Sequence, residues 1–103
     1  MDFLVERPLA EVMIQAEKYM VIQQGFNRTL DSTETRQSFF RKREGIANIA
    51  EAIGLVDGAW VRFAAAEGSE GNTRLSVTAS TVDLERGLER WVTTELGGTP
   101  SIS

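Results

Sequence analysis

Residues 58–80 read GAWVRFAAAEGSEGNTRLSVTAS, and the alternation on either side of that glycine-rich centre decides the fold. Trp60, Arg62 and Ala64 fall on one face of an extended segment, and Val61, Phe63 and Ala65 on the other. Further on, Leu75, Val77 and Ala79 alternate with Arg74, Ser76 and Thr78. Between the two runs, EGSEGN supplies the glycines and asparagine that tight turns use. The stretch therefore predicts an antiparallel hairpin.

Its apolar face calls for a second layer, and the flanking sequence supplies one. On the C-terminal side Leu84, Leu88, Trp91, Val92 and Leu96 form one helical stripe, with Ser80 and Asp83 spaced as a capping box and Gly97-Gly98 as the stop. Asp83, Glu85, Arg86, Glu89, Arg90 and Glu95 fall on the wet side of that helix as solvated charge rather than as an acid–base centre. The remaining TPSIS has no periodicity and is expected to fray, so that 1–98 forms the domain and 99–103 a tail.

On the N-terminal side, IANIAEAIG at 46–54 fits a helical face and a strand equally well, and nine residues do not separate the two. Before it, 26–32 alternates as a strand, 32–37 is polar turn or bulge, and 37–43 reads as a second strand. From Pro8 the period changes. Leu9, Val12, Met13, Ala16 and Met20 recur at helical offsets, Pro8 suits the first turn and Gly25 the stop, which predicts a helix over 8–24. Ile14, Val21 and Ile22 widen its apolar side and imply packing against more than one surface. DFLVE, with Phe3 and Val5 on one side, is the opening strand. The order is strand, helix, strands, hairpin, helix. That is an α+β two-layer sandwich, a curved, mainly antiparallel sheet of four to five strands with two helices on one face.

Composition narrows the chemistry. A chain of 103 residues supports one core. With neither cysteine nor histidine, it has no disulfide, no thiolate nucleophile, no Ser-His dyad and no ordinary zinc site. Catalysis would rest on carboxylates, Lys, Tyr, Ser or Thr, and no catalytic motif is present, so a non-enzymatic protein without cofactor or metal is expected. No apolar run approaches the ~18 residues of a membrane span, and MDFLVERPLA lacks a signal-peptide pattern, which points to a soluble cytoplasmic protein. EGSEGN does not have the spacing of an EF-hand.

FFRKREG, the apolar IANIAEAIG, the hairpin AWVRFAAAEGSEGNTRLSVTAS and LERGLERWVTTEL together resemble small bacterial α+β domains of TATA-binding-protein-like or helix-grip type, including small relatives of the START and Bet v 1 class. The likeness covers nearly the whole chain. It implies an antiparallel sheet embracing helices and, in the larger relatives, a hydrophobic cavity between sheet and terminal helix.

Two functions follow as expectations. The first is binding of an apolar small molecule or lipid in a sheet–helix cavity walled by Met13, Met20, Trp60, Phe63, Leu88 and Trp91. The second is a protein–protein or homodimerisation module that uses an exposed sheet face or edge around Phe39, Phe40, Arg41 and Arg43. The basic–aromatic segment 36–43 also raises nucleic-acid binding. However, alternation sends Phe39, Arg41 and Arg43 to one face and Phe40 and Lys42 to the other, in a chain of net charge -4, which is weak beside a nucleic-acid footprint.

Overall fold

The strands among the described residues all enter one antiparallel sheet, and the alternation over 26–32 becomes strand only at Asn27–Arg28. The computed structural model describes residues 1–41 and 58–101. The strands are β1 (Asp2–Val5), β2 (Asn27–Arg28), β3 (Arg36–Arg41), β4 (Ala59–Glu67), β5 (Thr73–Ala79) and β6 (Thr99–Pro100). Two helices, α1 (Leu9–Lys18) and α2 (Val82–Glu95), cover one face. The sheet order is β2-β3-β4-β5-β1-β6. The α+β sandwich is as expected, and it has six strands among the described residues where four to five are expected. The ambiguous 46–54 lies outside the described residues.

The predicted hairpin is β4–β5. Val61 opposes Ala79, Phe63 opposes Val77 and Ala65 opposes Leu75. Its turn closes with the Gly68 N–H donating to the Asn72 carbonyl at 2.7 Å, and both Glu70 (φ 58) and Gly71 (φ 77) take left-handed backbone. β1 lies on the other side of β5, with Phe3 opposite Leu75 and Val5 opposite Thr73. The Thr73 hydroxyl is fully buried and donates to the Arg7 carbonyl at 2.7 Å, which pins the β1–α1 turn to the sheet.

α1 begins after Pro8, whose carbonyl accepts from Val12 N–H at 3.1 Å. After Lys18 the helix widens into a π turn, Tyr19–Gln23, closed by Gln24 N–H on the Tyr19 carbonyl at 3.0 Å. Gly25, with φ 72, then turns the chain into β2. Ile14, Val21 and Ile22 are exposed at 52%, 40% and 75%, so the second apolar surface expected for this helix is not covered by any described residue.

α2 starts one residue later than the capping-box spacing suggests. Thr81 is the cap, accepting from Leu84 N–H at 3.2 Å, while the Ser80 hydroxyl accepts from Trp60 N–H at 3.1 Å and ties the strand end across to β4. Gly97 (φ 65) ends the helix, and Gly98 N–H donates to the Val92 carbonyl at 3.0 Å. The expected tail instead pairs with β1. Leu4 opposes Thr99, Phe3 opposes Pro100, and Ser101 N–H donates to the Asp2 carbonyl at 2.8 Å. An opening strand at the sheet edge offers free hydrogen-bonding groups, and these residues take them up although they have no apolar period of their own.

Candidate functional site

The residues expected to wall a cavity sort onto both sides of the sheet. Met13, Met20, Phe63, Leu88 and Trp91 converge between sheet and helices and are buried. They fill that space themselves. Phe63 meets Phe39 edge-on at 5.9 Å and Trp91 at 6.5 Å, and Trp91 stacks on Tyr19 at 4.4 Å with rings 13° apart. Trp60 belongs to the opposite face. With Val61 and Phe63 turned inward, alternation turns Trp60 outward, where it remains 37% exposed.

The interaction candidates divide in the same way. Phe39 is 1% exposed and is core rather than surface, because it stands opposite Val61 on the helix side of β3. Phe40, one residue on, faces away from the helices and is 37% exposed. Arg41 is again on the helix side, at the edge, with its guanidinium 5.1 Å above the Phe26 ring. Arg43 lies outside the described residues.

No described element covers the opposite face of the sheet, and its register can be read as four rows. Phe40 opposes Trp60 in the first. Ser38, Arg62 and Thr78 form the second, and Arg36, Ala64, Ser76 and Asp2 the third. Ala66, Arg74, Leu4 and Thr99 form the fourth. Rows are two residues apart along the strands, about 7 Å. The Arg62 guanidinium lies 4.9 Å above the Trp60 ring, which orients both side chains. Small side chains (Ser38, Ala64, Ala66, Ser76) leave shallow depressions in the middle of the face, one bordered by Asp31, Arg36 and Arg62, the other by Asp2, Arg36 and Arg74.

Electrostatically the face is mixed. Among the described residues the ion pairs are Arg7–Glu11 at 3.3 Å and Arg28–Glu17 at 3.5 Å. Neither lies on this face. Arg36, Arg62 and Arg74 have no carboxylate within 4.0 Å among the described residues, although Asp2 and Asp31 border the same depressions. No described group of three or more acidic residues is close enough to hold a metal ion, and no described helix is long and apolar enough to cross a membrane.

Sequence alternation already places Trp60 with Arg62, and Arg74 with Ser76, on common faces. It does not show that Phe40, from a strand 20 residues earlier, stands directly opposite Trp60, nor that this face is the uncovered one. Nor does it bring Lys18 and Tyr19 beside Arg90 and Trp91, which together line a second opening between the helices.

No family model matches the sequence, no curated protein resembles it, and no solved structure matches its fold.

Proposed function

We propose that the protein is a non-catalytic interaction module that pairs with a second copy of itself through the uncovered sheet face. The observation that carries the reading is the size pattern along the central strands of that face, which is self-complementary at Arg36, Trp60, Arg62 and Arg74. A two-fold axis crossing the strands between the Arg62 and Ala64 rows sets Arg62 over Ala64 and Trp60 over Ala66 on β4. On β3 it sets Arg36 over Ser38, and beside β5 it sets Arg74 over Ser80, which bonds to Trp60 just past the strand end. Every long side chain in these pairs meets a short one, as an isologous interface requires.

Residue types support the same occupant. Trp, Phe and Arg are the side chains enriched at protein interfaces, and no lysine occurs among the four rows. Two aspartates among three arginines suit the mixed surface of a second protein better than a phosphate backbone, which favours a face of one sign. An apolar ligand between sheet and helices would have to displace Met13, Met20, Phe63, Leu88 and Trp91 from a filled core.

Area sets the strength. The part of the face that the axis superposes on itself, three strands (β3–β5) spaced about 4.8 Å apart and four rows about 7 Å apart, gives a footprint of about 400 Å² per copy, at the weak end of specific interfaces. Micromolar dimerisation is expected. Sedimentation equilibrium across the micromolar range tests it, together with Trp60→Glu and Ala64→Arg, one removing a knob and the other filling a hole. Both should run as monomers with unchanged far-ultraviolet circular dichroism. A wild-type chain that stays monomeric throughout, or a dimer indifferent to both substitutions, overturns the proposal.

A further inference from the structure

Between α1 with its π turn and the C-terminal half of α2 lies a cleft of about 620 Å³, within the ~300–1,000 Å³ range of small-molecule sites. It is on the helix side of the sheet, away from the face described above. Four observations bear on what it holds.

The first is Gly87. It stands in the interior of α2, where glycine costs about 1 kcal/mol relative to alanine. A Cβ built there meets nothing within 4 Å, so no neighbour among the described residues requires the glycine. Gly87 lines the cleft together with Arg90, Trp91 and Thr94, which lie three, four and seven residues further along the same side of α2. The second is the π turn, a backbone irregularity often found at functional sites, which begins at Tyr19 and sets Tyr19 and Ile22 along the opposite wall.

The third is charge. Lys18 and Arg90 line the cleft with no carboxylate within 4.0 Å among the described residues, in a chain of net charge -4. Arg7, also in the lining, is engaged by Glu11 at 3.3 Å and by the Glu95 carbonyl at 3.4 Å, and so bridges the start of α1 to the end of α2. Among the described residues Glu95 is the lining's one carboxylate. The fourth is the apolar surface beside those charges. Tyr19 stacks on buried Trp91 yet is itself only partly buried, and Ile22 is 75% exposed.

We propose that this cleft binds a small aromatic anion, its carboxylate or sulfonate held by Lys18 and Arg90 and its ring lying against Tyr19 and Ile22. The cations supply charge-assisted hydrogen bonds, strongest where the cleft limits water. The aromatic and aliphatic walls bury the flat body, and the missing side chain at Gly87 gives it room.

Anilinonaphthalene sulfonate, whose fluorescence rises in apolar surroundings, is the probe. The native protein should bind one molecule per chain saturably. Naphthoate should displace it, and a neutral naphthyl alcohol should do so at least tenfold more weakly. Arg90→Gln and Lys18→Gln should each weaken binding about tenfold, as loss of one charge-assisted hydrogen bond implies. Gly87→Leu should abolish it while the thermal midpoint holds or rises, since leucine favours helix. Absent or multi-site binding, equal competition by the alcohol, or full binding in Gly87→Leu overturns the proposal. Binding measured in the Trp60→Glu variant keeps this test separate from the sheet-face reading, because that substitution lies on the other side of the sheet.

Discussion

Gly98→Ala should destabilise the protein, whereas the same substitution 11 residues earlier, at Gly87, should stabilise it. At Gly98 a Cβ would sit 2.7 Å from Val92 Cγ1, 3.3 Å from Val5 Cγ2 and 3.4 Å from the Val92 carbonyl oxygen. Carbon atoms in good contact are about 3.5–4.0 Å apart, so the new methyl overlaps one valine and crowds the other. Both valines are fully buried and β-branched, with little freedom to rotate aside. Overpacking of this kind costs about 1–3 kcal/mol, partly offset by the ~0.4–1 kcal/mol that alanine saves by restricting the unfolded chain. A net loss of about 1–2 kcal/mol corresponds to a fall of about 4–16 °C in Tm for a domain of this size.

At Gly87 the methyl meets nothing, the backbone is helical, and the gain should be about 0.5–1 kcal/mol. Gly97→Ala provides an intermediate case. No atom is in the way, but φ of 65 is left-handed, so the loss should be about 1 kcal/mol without a clash. Urea and thermal unfolding of the three variants, followed by circular dichroism, read all three signs. If Gly98→Ala is neutral or stabilising, or if Gly87→Ala behaves like it, the docking of the α2 end on β1 is not as described.

Three further outcomes are expected. Phe39→Ala should cost about 3–5 kcal/mol, and Phe40→Ala, at 37% exposure, much less, by chemical denaturation of each; equal losses would contradict the facing of β3. Gln37 is 5% exposed and its Oε1 has no hydrogen-bond partner among the described residues, so Gln37→Leu should raise the urea midpoint by the equivalent of about 1 kcal/mol or more. Tyr19 is the chain's single tyrosine, and burial raises its phenol above the ordinary 10.0 by disfavouring the anion. Its contribution to stability should therefore be complete below pH 10.0 and disappear as pH rises through its higher folded value. An ultraviolet titration with a midpoint at or below 10.0 would contradict that burial.

The local pattern of the chain determined which residues share a face. Period-two alternation paired Val61 with Phe63 and Trp60 with Arg62, and period 3.6 aligned Leu88, Trp91 and Val92, because backbone geometry alone sets these directions. EGSEGN likewise marked the β4–β5 turn, since glycine and asparagine tolerate the backbone it needs. Such signals require no contact with the rest of the molecule.

Which face became the core was decided elsewhere. Phe39 and Phe40 are identical in type and adjacent, and only the pairing of β3 with β4, opposite Val61 and Trp60, buries one and exposes the other. The cap moved from Ser80 to Thr81 because the Ser80 hydroxyl had a partner on β4. Thr99 and Pro100 became strand because β1, nearly a whole chain length away in sequence, left an edge to be paired. The cleft between Tyr19 and Arg90 and the rows joining Phe40, Trp60, Arg36 and Arg74 are products of that same long-range register. A repeating pattern states how side chains are directed relative to one another; only packing, which must bury one side and leave the other to solvent, states which direction is inward.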